Sequence, residues 1–202
     1  MRKPLILVSV MALGVGLLAG CGTPDVSSNT IIVEKNGKIT EALVEDFEQD
    51  YYNEEELKAF VEEEIAAYEA EHEKGAVKMS GLAVEEGVAS MTMTYADAAT
   101  YKEFHNTNFY VGTVVDAQTA GYKFDVMFAE VTEGSAGSAT VSGDDVMAAE
   151  GNVLVIQDYI DVQVPGTITY VSEGVQVTGS GSATIAAVNE TDVAPVAYIV
   201  YK

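Results

Sequence analysis

The sequence has little cysteine, no tryptophan and few basic residues, and these shortages exclude several classes of protein. Its 202 residues include 1 Cys, so neither an intramolecular disulfide framework nor a zinc site built from a cysteine cluster is possible. Lys and Arg total 10 against 32 Asp and Glu, which gives a formal charge of −22. Because binding to nucleic-acid phosphates needs clustered basic side chains, we expect no nucleic-acid partner.

The hydrophobic fraction is large enough for a folded core. It amounts to 48% of the residues, whereas disordered chains are poor in hydrophobic side chains. The length suits a domain of ordinary size.

The first twenty residues are typical of a secretory leader. Two basic residues precede an apolar run over residues 4–18, which is shorter than the roughly 20 residues that a membrane-spanning helix needs. The run ends in Leu18-Ala19-Gly20-Cys21, which resembles the bacterial lipobox. This resemblance implies cleavage between Gly20 and Cys21 and lipid attachment to Cys21. An ordinary cleaved signal or an uncleaved anchor are the alternatives.

This leader predicts the organisation of the whole chain. Residues 1–20 form the signal peptide, residues 21–29 form a flexible tether, and residues 30–202 form one extracytoplasmic domain. Acyl chains contribute about 0.8 kcal/mol per buried methylene, and two chains anchor a protein stably. We therefore expect the protein on the outer face of the cytoplasmic membrane, with the membrane as its partner through the lipid on Cys21.

The first half of the mature chain predicts two hairpins and two helices. Asn36-Gly37 is a strong hairpin signal, with strands over about 30–34 and 38–47. Asn53 is suited to cap a helix over 54–73, in which apolar residues recur at helical spacing. Runs at 77–84 and 88–95 predict the second hairpin, and Asp97 caps a short helix that reaches residue 104.

The second half is richer in strand patterns. We expect strands at 109–115, 124–131, 153–157 and 196–201, with a helical turn near 144–148. The combination predicts an α+β fold: a largely antiparallel sheet with one long amphipathic helix packed on it. A split into two subdomains near residues 106–108 is the alternative.

Acidic residues concentrate in residues 41–73. This segment holds fourteen Asp or Glu and one Lys, a net charge of 1 − 14 = −13. It is interpreted as a solvated face, a divalent-cation site or a surface for a cationic partner. No stretch matches the spacing of a calcium-binding loop, so metal ligands stay unassigned.

No motif marks a catalytic centre or a cofactor site. Glu69 and His72 share a helix face but lack the further ligands of a metal site, and His105 has no carboxylate at the same spacing. Both histidines are expected at the surface or at helix ends. Asp158 and Asp161 are the first pair to inspect for glycoside hydrolysis. We therefore expect no cofactor and no assigned catalytic residue.

Tyrosine is the most abundant aromatic residue, with 11 copies. Tyr51 and Tyr52 are candidates for an exposed binding patch, as are Tyr95, Tyr101 and Tyr110. The alternative is packing within the sheet and on helix faces, for which tyrosine is well suited.

Several segments carry a resemblance beyond the leader. Tyr51–Lys58, Tyr110–Val115 and Ala197–Lys202, together with the lipobox and the acidic mature chain, are similar to uncharacterised cell-surface lipoproteins of clostridial Gram-positive bacteria. The resemblance implies no activity and no functional residue except Cys21.

We expect a membrane-anchored, non-catalytic binding or interaction module with a cationic or cell-wall partner. A divergent extracellular hydrolase and a divalent-cation-responsive envelope protein are the alternatives. The sequence leaves the oligomeric state open.

Overall fold

The computed structural model describes residues 26–187 and 193–202. The predicted signal peptide, the Gly20–Cys21 cleavage site and the first part of the tether lie outside the described residues. Within them the chain is a mixed α+β protein with two sheets, and its residues are 42% strand and 20% helix.

The described elements follow one another as β1 (Thr30–Val33), β2 (Ile39–Asp46), α1 (Glu54–Glu69), β3 (Val77–Glu85), β4 (Val88–Tyr95), α2 (Ala98–His105), β5 (Phe109–Thr113), α3 (Val114–Thr119), β6 (Phe128–Thr132), β7 (Ser135–Val141), α4 (Gly143–Met147), β8 (Asn152–Ile156), β9 (Asp161–Gln163), β10 (Ile168–Ser172), β11 (Val175–Gly179), β12 (Ser182–Ile185) and β13 (Ala197–Tyr201).

Both predicted hairpins are confirmed in the first sheet, which we call sheet A. Its strand order is β11-β12-β9-β1-β2-β4-β3. β1 and β2 pair antiparallel across the loop that contains Gly37, which has φ +86°. β3 and β4 pair antiparallel across Glu86 and Gly87, whose φ values of 51° and 79° suit a tight two-residue turn.

One parallel pair, β1 with β9, links the two halves of the chain. Thr30 lies opposite Asp161 in this pair. Every other strand pair in the described part of the chain is antiparallel. Sheet A therefore combines strands from before and after the 106–108 segment.

The second sheet, sheet B, has the strand order β5-β8-β13-β10-β6-β7. The strand predicted at residues 196–201 is confirmed as β13, which lies between β8 and β10. β13 is buried along its whole length. Its side chains alternate between two cores, since Ile199 joins the core shared with sheet A and Val200 joins the core on the opposite face.

The molecule thus has three layers: sheet A, sheet B, and the short helices α3 and α4. The core on the helix side of sheet B contains Phe128 of β6, Val114 of α3 and Val146 of α4. Sheet B is covered on both faces, which explains why its central strands read as nearly continuous apolar runs.

The structure corrects two strand predictions in this layer. The strand predicted over 109–115 ends at Thr113, whose hydroxyl accepts a hydrogen bond from the Asp116 amide and caps α3. The strand predicted over 124–131 begins only at Phe128. Before it, the backbone of Phe124 lies against Gly143 at the start of α4.

The predicted single sheet with one long amphipathic helix holds only at the coarser level of a mixed α+β fold. There are two sheets. α1 starts at the predicted residue, with the Asn53 side chain accepting from the Glu55 and Glu56 amides, but it ends at Glu69. Val61 is its one buried residue, whereas Phe60, another apolar residue of the helix, is 61% exposed. A clear amphipathic character is therefore not confirmed.

Candidate functional site

His72 contacts α2 from the segment after α1, whereas His105 belongs to α2. His72 stacks on Tyr68 with ring centroids 3.9 Å apart, and its Nε2 lies 3.6 Å from a Glu103 carboxylate oxygen. The predicted shared helix face of Glu69 and His72 is not formed, because α1 ends at Glu69, and the Glu69 carboxylate accepts from the Gly75 amide. His105 is the last residue of α2, as expected for a helix-terminal histidine, but it faces a buried carboxylate.

The acidic pair proposed for hydrolysis has structural partners. Both carboxylate oxygens of Asp161 accept hydrogen bonds, one from the Ser28 hydroxyl and one from the Thr184 hydroxyl. Asp158 accepts from the adjacent Tyr159 amide. Asp161 therefore fastens β9 to β12 and to the segment before β1.

A buried polar cluster, which the sequence did not reveal, is formed by Glu41, Tyr95, Tyr101 and His105. Glu41 is 4% exposed and lies on the apolar face of β2, flanked by Ile31 on β1 and by Met93 on β4. The Tyr95 hydroxyl donates to Glu41 Oε2 at 2.6 Å. The Tyr101 hydroxyl makes a longer bond of 3.4 Å to Oε1. A carboxylate otherwise expected in the solvated acidic segment is thus inside the core.

The imidazole of His105 completes this buried cluster. Its Nε2 is 2.7 Å from the Tyr95 hydroxyl oxygen and 3.2 Å from Glu41 Oε2. Because the Tyr95 proton is directed to the carboxylate, the phenol oxygen accepts from the imidazole, which places a proton on Nε2. A buried carboxylate needs such donors, since an unpaired charge in the core is strongly destabilising.

The buried cluster joins the two sheets. Glu41 and Tyr95 belong to sheet A, whereas Tyr101 and His105 belong to α2, which packs against β5 of sheet B. The rings of Tyr101 and Phe109 are 4.4 Å apart at their centroids. The candidate exposed patch of Tyr95, Tyr101 and Tyr110 is therefore not formed. The alternative, packing in the interior, holds for Tyr95 and Tyr101, which are 1% and 4% exposed.

Burial controls the ionisation of these two phenols. Burial first, and the Glu41 carboxylate second, raise the pKa of Tyr95 well above its ordinary value of 10.0. The same two causes, followed by Asp158, raise the pKa of Tyr101. Both side chains therefore stay protonated and keep donating to Glu41 under physiological conditions.

These raised pKa values predict a loss of stability at alkaline pH. The folded-state pKa of Tyr95 lies above its unfolded value, so its contribution is complete below about pH 10. Above that pH the unfolded chain loses phenol protons that the native chain keeps. The free energy of unfolding therefore falls by about 1.4 kcal/mol per pH unit for each such phenol. Tyr95→Phe should lower the free energy of unfolding by about 1.5–3 kcal/mol at neutral pH. Above about pH 10 its free energy of unfolding should fall less steeply than that of the wild type.

Urea unfolding of the full chain from neutral to alkaline pH measures both effects. Tyr51→Phe, at an exposed position, is the control and should change both far less than Tyr95→Phe does. Parallel pH profiles for the wild type and Tyr95→Phe would contradict the prediction.

An exposed aromatic cluster lies on the loop between β2 and α1. We call residues 47–53 the aromatic loop. Tyr51 is 75% exposed and Tyr52 is 44% exposed, whereas Phe47 is half-buried. The Phe47 and Tyr52 rings stack with centroids 4.8 Å apart, and Tyr51 meets Tyr52 edge-on at 4.9 Å. The candidate Tyr51-Tyr52 patch is therefore at the surface.

Backbone hydrogen bonds fix both ends of the aromatic loop. The Phe47 amide donates to the Gly87 carbonyl at 2.7 Å, which extends the pairing of β2 with β4. The Tyr52 amide donates to the Gln49 carbonyl at 2.9 Å, and Asn53 caps α1. The rings are thus presented from a framework attached to the sheet on one side and to a helix on the other.

Carboxylates surround the aromatic loop. Residues 45–56 contain seven Asp or Glu and no Lys, Arg or His. The pKa of Tyr52 is raised, first by the neighbouring Tyr51 hydroxyl and then by burial. A hydrogen bond to Tyr51 and the charge of Asp46 raise it further. The loop therefore combines a π surface with an uncompensated negative field.

Two open depressions of about 390 Å³ each lie elsewhere on the surface. One crosses β2, β4 and β3, and the other follows β6 and β7; neither includes a residue of the buried cluster or of the aromatic loop. Among the described residues, no three His, Cys, Asp or Glu side chains converge to hold a metal ion. No helix in the same ranges is long and apolar enough to cross a bilayer.

The protein is thus a mixed α+β fold of two stacked sheets. It has a buried polar cluster around Glu41 and an exposed aromatic loop. Comparison of the chain with protein-family models, with curated proteins and with solved structures finds no match.

Proposed function

We propose that this protein is a lipid-anchored, extracytoplasmic, non-catalytic binding module whose aromatic loop contacts a partner at the cell envelope. The anchoring part rests on the lipobox at Leu18-Ala19-Gly20-Cys21 and on its resemblance to bacterial lipoproteins. β1 begins at Thr30, nine positions after Cys21, so the chain between them spans at most about 30 Å. The sheets would be held close to the membrane surface.

The binding part rests on one observation, the exposure of stacked aromatic rings on a loop whose two ends are held by hydrogen bonds. Folded proteins bury most large aromatic side chains, and an exposed contiguous apolar patch marks an interaction surface. Tyrosine supplies a large contact area with few rotatable bonds, which keeps the entropic cost of binding low. The partner proposed here is part of the cell wall or carries positive charge.

One preparation tests both parts. The full chain is produced in a Gram-positive host fed with an alkyne-labelled fatty acid, purified in detergent and incubated with isolated cell-wall sacculi. We expect the wild type to carry the label and to be retained on the sacculi. Cys21→Ala should lose all label, because the chain has 1 Cys. Tyr51→Ser/Tyr52→Ser should keep the label and lose most of the retention.

The matched control is Val115→Ser, which removes an apolar side chain that is 64% exposed on α3. It should behave as the wild type in both readouts. Label on the Cys21→Ala chain would refute the anchoring part. Equal retention of the double tyrosine variant and the wild type would refute the binding part.

A further inference from the structure

The aromatic loop offers exposed ring surface to which a cation can bind. Phe47 and Tyr52 stack, and Tyr51 stands edge-on to them. Tyr51 is 75% exposed, so most of its ring is open to solvent. A guanidinium or ammonium group within roughly 6 Å of such a ring centroid is attracted by the ring quadrupole.

The charge next to the rings has no counterion within the described part of the chain. The ion pairs there are Lys58–Glu62, His72–Glu103 and His105–Glu41, and none involves residues 45–56. Glu54, Glu55 and Glu56 are stabilised by their place in the first turn of α1. Glu48 and Asp50 have no such position, and they directly follow Phe47 and precede Tyr51.

Charge also selects among possible occupants of the loop. A second copy of the chain would bring another −22 and the same acidic loop, so like charges would oppose self-association. Nucleic acids and anionic lipids are opposed for the same reason. A neutral sugar would use the rings and leave the carboxylates without a partner, and desolvating unpaired charge is unfavourable.

Building on the proposed function, we infer that the aromatic loop binds a basic segment of a polypeptide. Arginine or lysine side chains pack on the Tyr51 and Tyr52 rings while their charged groups meet Glu48 and Asp50. Arginine suits this site better than lysine, because its planar guanidinium stacks on an aromatic face and pairs with a carboxylate through two hydrogen bonds.

Fluorescence anisotropy with labelled synthetic peptides tests the inference on the detergent-purified full chain. The probe is an alternating Arg-Gly peptide, and its comparison peptide has each Arg replaced by citrulline, which keeps the shape and loses the charge. We expect the Arg peptide to bind and the citrulline peptide to bind at least about tenfold more weakly. A Lys-Gly peptide should fall between them.

Two variants and one matched control assign the binding to the loop. Tyr51→Ser/Tyr52→Ser should weaken Arg-peptide binding about tenfold, as expected for two lost cation–π contacts. Glu48→Gln/Asp50→Asn should weaken it about fivefold at low salt, with the loss shrinking as salt is raised. Glu150→Gln/Glu173→Gln changes the net charge equally at exposed positions away from the loop and should change binding less than about twofold.

Equal binding of the Arg and citrulline peptides would overturn the inference. So would an equal loss from the loop carboxylates and from the control carboxylates, because binding would then follow net charge. If no basic peptide binds while retention on sacculi still depends on Tyr51 and Tyr52, the basic partner is refuted and the proposed function stands. If both readouts fail, both proposals are wrong.

Discussion

Phe128→Ala is expected to lower the free energy of unfolding by about 3–5 kcal/mol. Phe128 is 0% exposed at the start of β6, and its ring lies 5.9 Å from that of Tyr198 and 6.0 Å from that of Phe124. Truncation removes buried hydrocarbon and leaves a cavity between sheet B and the short helices. Because a domain has only about 5–15 kcal/mol of total stability, this loss is a large fraction of the free energy of unfolding.

The adjacent residue supplies the control for this prediction. Met127 is 43% exposed, so Met127→Ala should change stability by no more than about 0.5 kcal/mol. Urea unfolding of the full chain gives both values. A loss below about 1 kcal/mol for Phe128→Ala would show that the layer between sheet B and the short helices is not tightly packed.

Gly143→Ala is expected to destabilise the fold by roughly 3 kcal/mol or more, above the usual range for overpacking. Gly143 is the first residue of α4, and a Cβ atom there would overlap the backbone carbonyl of Phe124. No rotamer change relieves a clash between Cβ and backbone, so either α4 or the segment at Phe124 must move. Both carry side chains of the core on the helix side of sheet B.

Gly137→Ala is the matched control, since it makes the same chemical change on β7. A Cβ atom at Gly137 would meet the Glu130 carbonyl oxygen at 3.5 Å, an ordinary contact. Its stability should stay within about 0.5 kcal/mol of the wild type. Thermal melting of the two variants side by side decides the matter, and similar melting temperatures would contradict the close approach at Gly143.

The local elements could be predicted where a turn or cap residue sits beside a periodic run. Asn36-Gly37 and Glu86-Gly87 mark two hairpins, and Asn53 and Asp97 mark two helix starts. A helical turn was predicted near residues 144–148, where α4 lies, but α3 and the cap residues of both helices were not predicted. Thr113 and Ser142 are each followed three residues later by an Asp, and each accepts a hydrogen bond from the amide of that Asp.

The division into two sheets could not be predicted from local patterns. It depends on pairs such as Thr30 with Asp161, which are far apart in the sequence and leave no trace in periodicity. The burial of Glu41 had only a weak signal, the period of two that places it on the same face as Ile39 and Leu43. The high density of acidic residues instead predicted that Glu41 is exposed, because Glu41 begins the most acidic stretch of the chain.

The position of β13 at the centre of sheet B has a consequence for how the protein folds. Residues 197–201 must pair between β8 and β10 before sheet B is continuous. All five other strands of sheet B therefore precede, in sequence, the strand that joins them. Non-local pairing of this kind slows folding. We therefore expect sheet B to become continuous only after β13 has been synthesised and has paired with β8 and β10.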